Sequence, residues 1–407
     1  MRILMVQTYH YYRGGDSTCM FNLTSLLEQE GHEVVPFAMQ HPQNLESPYS
    51  EHFSSEIDFP KMLEEFSVGT ALSVVSKSIY NREAKARISR LIDEVKPDIA
   101  HFHNIHGHLT TSIMGPLRRK KIPIVWTLHD YRLVCPNTTF LRGGEICEKC
   151  LPRKYHHVLL GKCKKGSRAA SLVAMMTTVF DRVSRVPART SRFITPSAFL
   201  KGKLVEGRID PAKISVIPNF VDVQSFNTGR EEDYFLYFGR ISHEKGIDLL
   251  IEAVSEMKVG RLKVVGEGPS SEELKKLVKQ TGAPVEFLGF RSGDELRSLL
   301  EGAMFVVVPS TWYENLPFSV MEALAAGKPV IATDIGGIPE MVEDEGNGLL
   351  FPLGDVAALK GCLARLIEDG ELRRAMSVAC RKKAELLYNR DWHYDQIMKV
   401  YTELTGK

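Results

Sequence analysis

Short runs of β-branched and aromatic residues alternate along this chain with longer stretches whose apolar positions recur every three or four residues. Ile3–Val6, Val34–Ala38, Ile99–His103, Ile122–Leu128 and Phe193–Thr195 read as strands of the first half. Ile214–Ile217, Phe235–Phe238, Leu262–Val265, Val285–Leu288, Phe305–Val308, Val330–Ala332 and Leu349–Phe351 read as strands of the second. Helical patterns fall between them, among others at 18–30, 248–257, 271–280 and 294–300. Alternating β and α segments predict parallel sheets covered by helices on both faces. Two such series predict an α/β protein of two doubly wound units facing each other. The boundary is expected near 197–205, giving units 1–200 and 201–385, with 386–407 as a helix crossing back to the first. Residues 41–70 hold three prolines and many polar residues, and read as a variable excursion.

At 407 residues the chain has room for two or three domains. With 43% hydrophobic and 25% charged residues it has the balance of a globular protein, not of a disordered one. The net charge of +2 hides an asymmetry: residues 118–192 hold 17 Lys+Arg against 4 Asp+Glu. Such a stretch attracts phosphates, nucleic acid or an anionic membrane, or is simply a solvated basic face. The opening MRILMVQTYHYYR has too short an apolar run for a signal peptide. AASLVAMMTTVF, at 169–180, falls well short of the ~20 residues that a membrane span needs. The expectation is a cytoplasmic protein, with peripheral attachment at the inner membrane leaflet.

Three segments carry candidate chemistry. Gly14 and Gly15 lie between a strand and a helix, where backbone N–H groups and the helix start favour an anion, although a tight turn needs glycines equally. Gly239-Arg240-Ile241-Ser242-His243-Glu244-Lys245-Gly246 puts two cations on a loop after a strand, suited to a diphosphate; two solvated surface cations are the plainer reading. Gly266-Glu267-Gly268 lacks the third glycine of a dinucleotide fingerprint, which argues against NAD. The third segment, Tyr313-Glu314-Asn315-Leu316-Pro317, follows the strand ending at Val308, at the sheet edge where ligands bind. Asn315 reads as the cap, and Pro317 as the first turn, of a helix from Leu316 to Ala325. Glu314 then precedes that helix and Glu322 lies on it. A carboxylate suits a vicinal diol such as a ribose; the alternative for Glu322 is a solvent-facing helix residue.

The ordered set Gly14-Gly15, Thr127-Leu128-His129, Pro218-Asn219, Gly239-Arg240 with Lys245-Gly246, Val265-Gly266-Glu267-Gly268 and Glu314-x7-Glu322 resembles glycosyltransferase family 4. These are retaining, nucleotide-sugar-dependent enzymes of the GT-B fold. The resemblance implies that Arg240 and Lys245 neutralise the donor diphosphate, Glu314 contacts the donor sugar and Glu322 binds the ribose. It places Asn315, Leu316 and Pro317 in the sugar and phosphate pocket, Gly14 and Gly15 near the phosphates, and Gly266 on the donor side. His129 matches a histidine beside the transferred sugar, a structural core histidine being the alternative. Gly289 and Phe290 fall where the nucleobase is usually held. The implied reaction is retaining glycosyl transfer without a catalytic metal or cofactor. Donor base and acceptor are open: UDP- or GDP-linked sugar on one side, a saccharide or polyprenyl-diphosphate-linked acceptor on the other. Competing readings are a GT-B epimerase or phosphorylase, and a non-catalytic binder of nucleotide sugar or nucleic acid.

Of the seven cysteines, Cys19, Cys362 and Cys380 are isolated on helical patterns and read as packing residues. The other four, Cys135-x11-Cys147-x2-Cys150-x12-Cys163, have tetrathiolate spacing in a Gly- and Lys-rich insertion, 135–163. Structural zinc is the expectation; an iron–sulfur cluster and unliganded thiols are the alternatives. Starting six residues after His129, the insertion is expected to overhang the cleft on the acceptor side.

Overall fold

A strand apolar at every position needs cover on both faces, and both sheets of this protein have it. The structure, a computed structural model, describes residues 1–57, 75–257 and 260–407; residues 58–70 of the predicted excursion lie outside these. The first sheet holds β1 (Arg2–Val6), β2 (Glu33–Phe37), β3 (Ile99–Phe102), β4 (Ile124–Thr127), β7 (Arg192–Thr195) and β8 (Ile214–Val216). Its order is β2-β1-β3-β4-β7-β8, parallel throughout. Between β4 and β7 an antiparallel pair, β5 (Leu141–Arg142) and β6 (Glu145–Ile146), stands apart from the sheet. The second sheet holds β9 (Phe235–Phe238), β10 (Leu262–Val265), β11 (Val285–Gly289), β12 (Val306–Val308), β13 (Val330–Thr333) and β14 (Gly348–Phe351). Its order, β11-β10-β9-β12-β13-β14, is again parallel.

The period of two along a strand divides the first core into two layers. Leu4, Val6, Phe102, Trp126 and Phe193 pack on one face. Ile3, Met5, Val125 and Ile194 pack on the other, against Ile397, Val400 and Tyr401 of the C-terminal helix Arg390–Thr405. The last helix of the chain therefore completes the first domain. Each such buried side chain contributes roughly 1.5–3 kcal/mol.

The boundary expected near 197–205 gives Ile214–Ile217 to the second unit, yet Ile214 and Val216 pair with Phe193 and Thr195 at the edge of the first sheet. The crossing lies instead beyond Ile217, where Val221 N–H donates to Tyr388 C=O at 3.0 Å and His393 Nδ1 meets Pro218 C=O at 2.7 Å. The two connecting segments are thus bonded to one another. The alternation of β and α could not reveal this, because an edge strand and a first strand look alike in sequence.

Candidate active site

The carboxyl ends of both sheets open onto one cleft of about 480 Å³ between the domains. Gly14, Gly15, His129, Arg240, Lys245, Glu314, Asn315, Leu316, Pro317 and Glu322 line it together. Ligand sites of open α/β sheets lie at this edge because loops there are free of sheet pairing.

Glu314 is buried at 5% exposure just past β12. Its Oε1 accepts from Lys245 Nζ at 2.6 Å, Ser310 Oγ at 2.7 Å and Trp312 Nε1 at 2.8 Å. Burial alone would raise its pKa, but the Lys245 charge and these three bonds together hold it below the ordinary carboxylate value. Glu314 is therefore ionised, and Oε2 is the oxygen left to address a ligand. Lys245 also lies over the Trp312 ring, 5.4 Å from its centroid.

Backbone contacts set this loop pair. Gly246 has φ +65°, and a Cβ there would come within 2.0 Å of Pro309 C=O, so only glycine lets the Lys245 turn press on the end of β12. Tyr237 Oη donates to Arg240 C=O at 2.7 Å, fixing the backbone that presents the exposed guanidinium. Gly336 and Gly337, which the sequence reading passed over, lie behind Glu314 and Asn315; a Cβ on them would come within 2.4 Å of Glu314 C=O and 1.8 Å of Asn315 C=O. Their adjacent pairing after β13 was the signal available.

The helix after Glu314 starts later than expected. It runs Phe318–Ala325 with Pro317 at its cap, and Asn315 caps nothing. Ser197 Oγ donates to Asn315 Oδ1 at 2.6 Å across the domain boundary, while Asn315 Nδ2 has no partner among the described residues. Pro317 has no side chain to accept from the first turn, so the Val320 N–H turns back to Pro317 C=O at 3.1 Å and the helix start has no capping side chain.

Glu322 lies half-buried on the cleft wall, and is not the solvent-facing helix residue of the plainer reading. Burial raises its pKa from 4.5 to about 7. No hydrogen bond or ion pair reaches its carboxyl among the described residues. It also lines an adjoining cavity of about 210 Å³ with Phe226, Gly293, Leu296 and Arg297. Gly266, Gly289 and Phe290 line neither cavity. Gly266 is packed against the Gly239 carbonyl, which a Cβ would approach to 1.9 Å, so it holds the Arg240 loop in place. Phe290 is 64% exposed, its side chain on the surface.

The opposite wall carries a neutral histidine beside two acids, Asp16 and Asp130, which line the cleft. Gly14 and Gly15 stand at the start of helix Gly15–Gln29, where Ser17 Oγ accepts from the N–H groups of Arg13 and Gly14. A Cβ at Gly15 would come within 3.3 Å of the Phe318 ring, so this turn faces the Glu314–Glu322 segment closely. His129, after β4, is held neutral by burial against the pull of Asp16 and Asp130. Its Nε2 lies 2.9 Å from Nδ1 of the buried His103, with the rings stacked at 5.2 Å. His103 Nε2 is buried without a partner. A lone acceptor there costs less than an orphaned N–H, so His103 Nδ1–H donates and the His129 proton sits on Nδ1. His103 was missed in sequence; the H-x-H at the end of β3 was the available sign.

Among the described residues, the ligand-type atoms mutually within 4.8 Å are those of Cys19, His103 and His129. Their polar atoms are engaged separately: His103 bonds His129, and the Cys19 thiol, pushed up to about 12 by burial, donates to Asn219 Oδ1 at 3.1 Å. The four insertion cysteines are more widely set than this triad. They nonetheless gather in one corner, where Cys135, Cys163 and Cys147 all act on Cys150, whose thiol burial first pushes up to about 12. Thr138 of the same insertion lines the cleft.

The glycosyltransferase family 4 profile matches residues 13–225, and the glycosyl transferases group 1 profile matches 221–383. The sulfoquinovosyl transferase SQD2 of Arabidopsis thaliana is 36% identical over 318 residues, 73% of this chain and 55% of its own. The lipopolysaccharide 1,2-N-acetylglucosaminetransferase of Salmonella typhimurium is 32% identical over 200 residues, 43% of this chain and 52% of its own. The chain thus spans about half the length of the curated relatives it matches. Among solved structures, HepE of Anabaena in complex with UDP-glucose superposes at TM-score 0.63 with 19% identity, covering 99% of this chain and 100% of that one. At such identity the likeness concerns the fold, two facing Rossmann-like domains of the GT-B kind.

Proposed function

The chain belongs to glycosyltransferase family 4, and on that footing we propose that it moves a sugar, with retention, from a nucleoside-diphosphate sugar to a saccharide or lipid-linked acceptor in surface polysaccharide or glycolipid assembly. The observation that carries this reading is the Lys245–Glu314 pair beside Arg240, facing Gly14-Gly15 across the cleft. Arg240 and Lys245 meet the charge that grows on the departing diphosphate, and the N–H groups at the helix starts of Gly15 and Phe318 add to it. Glu314, with Oε1 saturated by three donors, orients the sugar hydroxyls through Oε2. A carboxylate so bound is a poor nucleophile, which favours attack by the acceptor on the face that the diphosphate leaves. His129 Nδ1–H donates to the sugar from the other wall. Glu322 takes the ribose diol at the mouth of the adjoining cavity, which receives the base. UDP is the first base to try, since HepE is in complex with UDP-glucose.

The acceptor side is the basic first domain. Among the described residues no helix is long and apolar enough to cross a membrane. Helix Arg168–Val183 instead exposes Leu172, Met176, Val179 and Val183 on one stripe beside Lys165, Arg168 and Arg185. That combination suits peripheral docking on an anionic inner leaflet carrying a polyprenyl-diphosphate-linked acceptor.

Calorimetry with UDP and GDP, followed by transfer assays on the preferred donor, tests the reading. Tight nucleotide binding that Arg240→Ala weakens about tenfold or more is expected. Isomerisation of the donor without acceptor would instead identify an epimerase. Equal sedimentation with neutral and anionic vesicles would remove the membrane part alone.

A further inference from the structure

The insertion between His129 and helix Arg168–Val183 has almost no core of its own. Its apolar cluster holds three buried residues, Cys150, Tyr155 and Val158, with Cys163 and Met175 against them. Its backbone is nonetheless strongly bent: of eleven non-glycine residues at positive φ among those described, five (Thr138, Phe140, Arg153, Lys162 and Lys165) fall within it. Conformations of that kind persist only where something over-determines them. Cys135 and Phe140 are fixed in the core of the first domain; three apolar side chains are a small anchor for the rest.

The four cysteines are distributed through this same stretch and converge within it. Cys135 and Cys150 are buried and Cys147 and Cys163 half-buried, and Cys135, Cys163 and Cys147 lie close enough to act on the Cys150 sulfur. Arg142 faces Cys163, packed so closely that a Cβ on Gly161 would come within 2.8 Å of both Arg142 Nε and Cys163 Sγ. Lys164 lies in the field of Cys135. Four thiolates on a divalent ion carry a net negative charge, and these two cations stand beside it.

We propose that Cys135, Cys147, Cys150 and Cys163 hold one thiophilic divalent cation of the zinc class, and that the loop so fastened braces the donor segment through Glu148. The sulfurs close inward as they coordinate, each thiol passing its proton to solvent. Glu148 stands between Cys147 and Cys150. Its Oε1 accepts from Tyr313 Oη at 2.7 Å and pairs with Lys203 Nζ at 2.8 Å. Tyr131 Oη donates to Tyr313 C=O at 3.2 Å, and the Phe140 and Phe199 rings pack on Tyr313. Tyr313 immediately precedes Glu314, so the insertion fixes the far end of the donor loop. Glu148 is thus a positioning residue, acting through Tyr313.

The full chain, purified with zinc and without chelators, should contain about one zinc per molecule by elemental analysis. Cys147→Ser and Cys150→Ser should lose it. Because these variants could also misfold, the wild-type protein reconstituted with cobalt supplies a second readout, the thiolate-to-cobalt charge-transfer bands of a tetrahedral site. A folded, metal-free chain whose half-buried Cys147 and Cys163 react freely overturns the site, and iron with acid-labile sulfide overturns the metal class. Glu148→Gln should keep the zinc while lowering kcat about threefold to tenfold, as misplacement of a substrate-holding group does. Unchanged kcat overturns the brace. The brace rests on the proposed reaction and the metal site does not: loss of UDP binding would strike that reading and leave the metal result untouched.

Discussion

On the second-domain wall of the cleft, Glu314 is buried and ionised, with Lys245, Ser310 and Trp312 on one oxygen. On the first-domain wall, His103 and His129 are stacked and neutral, and both are held so by burial. The same desolvation acts on both sets of groups. It fails to neutralise Glu314 because a full charge and three donors oppose it, and it succeeds with the histidines because Asp16 and Asp130 act without a direct hydrogen bond. The second-domain wall therefore presents Arg240 and the Lys245–Glu314 pair as fixed charge, and the first-domain wall a neutral His129 beside Asp16 and Asp130. Glu322 lies between the two regimes: half-buried, without a partner among the described residues, and raised to about 7.

The strongest way to break this contrast is Lys245→Ala. Transfer should fall by roughly 10²–10³, and the variant should lose about 3–5 kcal/mol of stability at pH 7 by leaving Glu314 buried and unpaired. The sign of the pH dependence is fixed. Because the folded pKa of Glu314 is depressed, its contribution is full above the ordinary carboxylate range and is lost as pH falls through the folded value. Wild type and variant should converge in chemical denaturation only as pH falls through that depressed folded value. Wild-type stability for Lys245→Ala at pH 7 would mean that the charged wall is not held by this pair.

His129→Ala should reduce kcat/KM by about 10–100-fold, the worth of a hydrogen bond to the reacting sugar. Since burial lowers the His129 pKa, kcat of the wild type should be flat from pH 6.5 upward. An inflection at the ordinary histidine pKa that vanishes in His129→Ala would show that this wall titrates after all.

Glu322→Gln sharpens the intermediate case. The carboxyl is half protonated near pH 7, and an ionised form holds a diol better, so wild-type donor affinity should rise between pH 6 and 8. The variant should bind about tenfold more weakly at pH 8, with no such rise. Stability has the opposite sense: with a raised folded pKa, Glu322 costs stability as pH climbs from 4.5 to about 7. Glu322→Gln should accordingly raise Tm at pH 8 and leave it unchanged at pH 4.

The smallest effect on turnover is expected from Ser197→Ala, which removes the bond to Asn315 between the domains and the cap on the Leu200 N–H. A loss of about 1–3 kcal/mol in stability, with turnover within twofold, would match a residue that holds helix and walls without touching a ligand.

Much of this was legible in the chain. Continuous apolar strands alternating with helices dictated two parallel sheets, because nothing else buries both faces of such strands. Loops after strand ends located Arg240, Lys245, Glu314 and His129, since those ends all open on one side. What the residues could not show is which sheet takes an edge strand: Ile214–Val216 joined the first because β7 had a free edge there. Nor could they show that Lys245, 69 positions away, rests on Glu314, that His103 sets the His129 tautomer, or that Gly266 carries a loop while Phe290 faces outward. Local pattern determined the elements and the side of the sheet. Pairing of groups distant in sequence, and hence every charge state in the cleft, was decided by the tertiary structure, because burial and partners exist only once the domains have closed on each other.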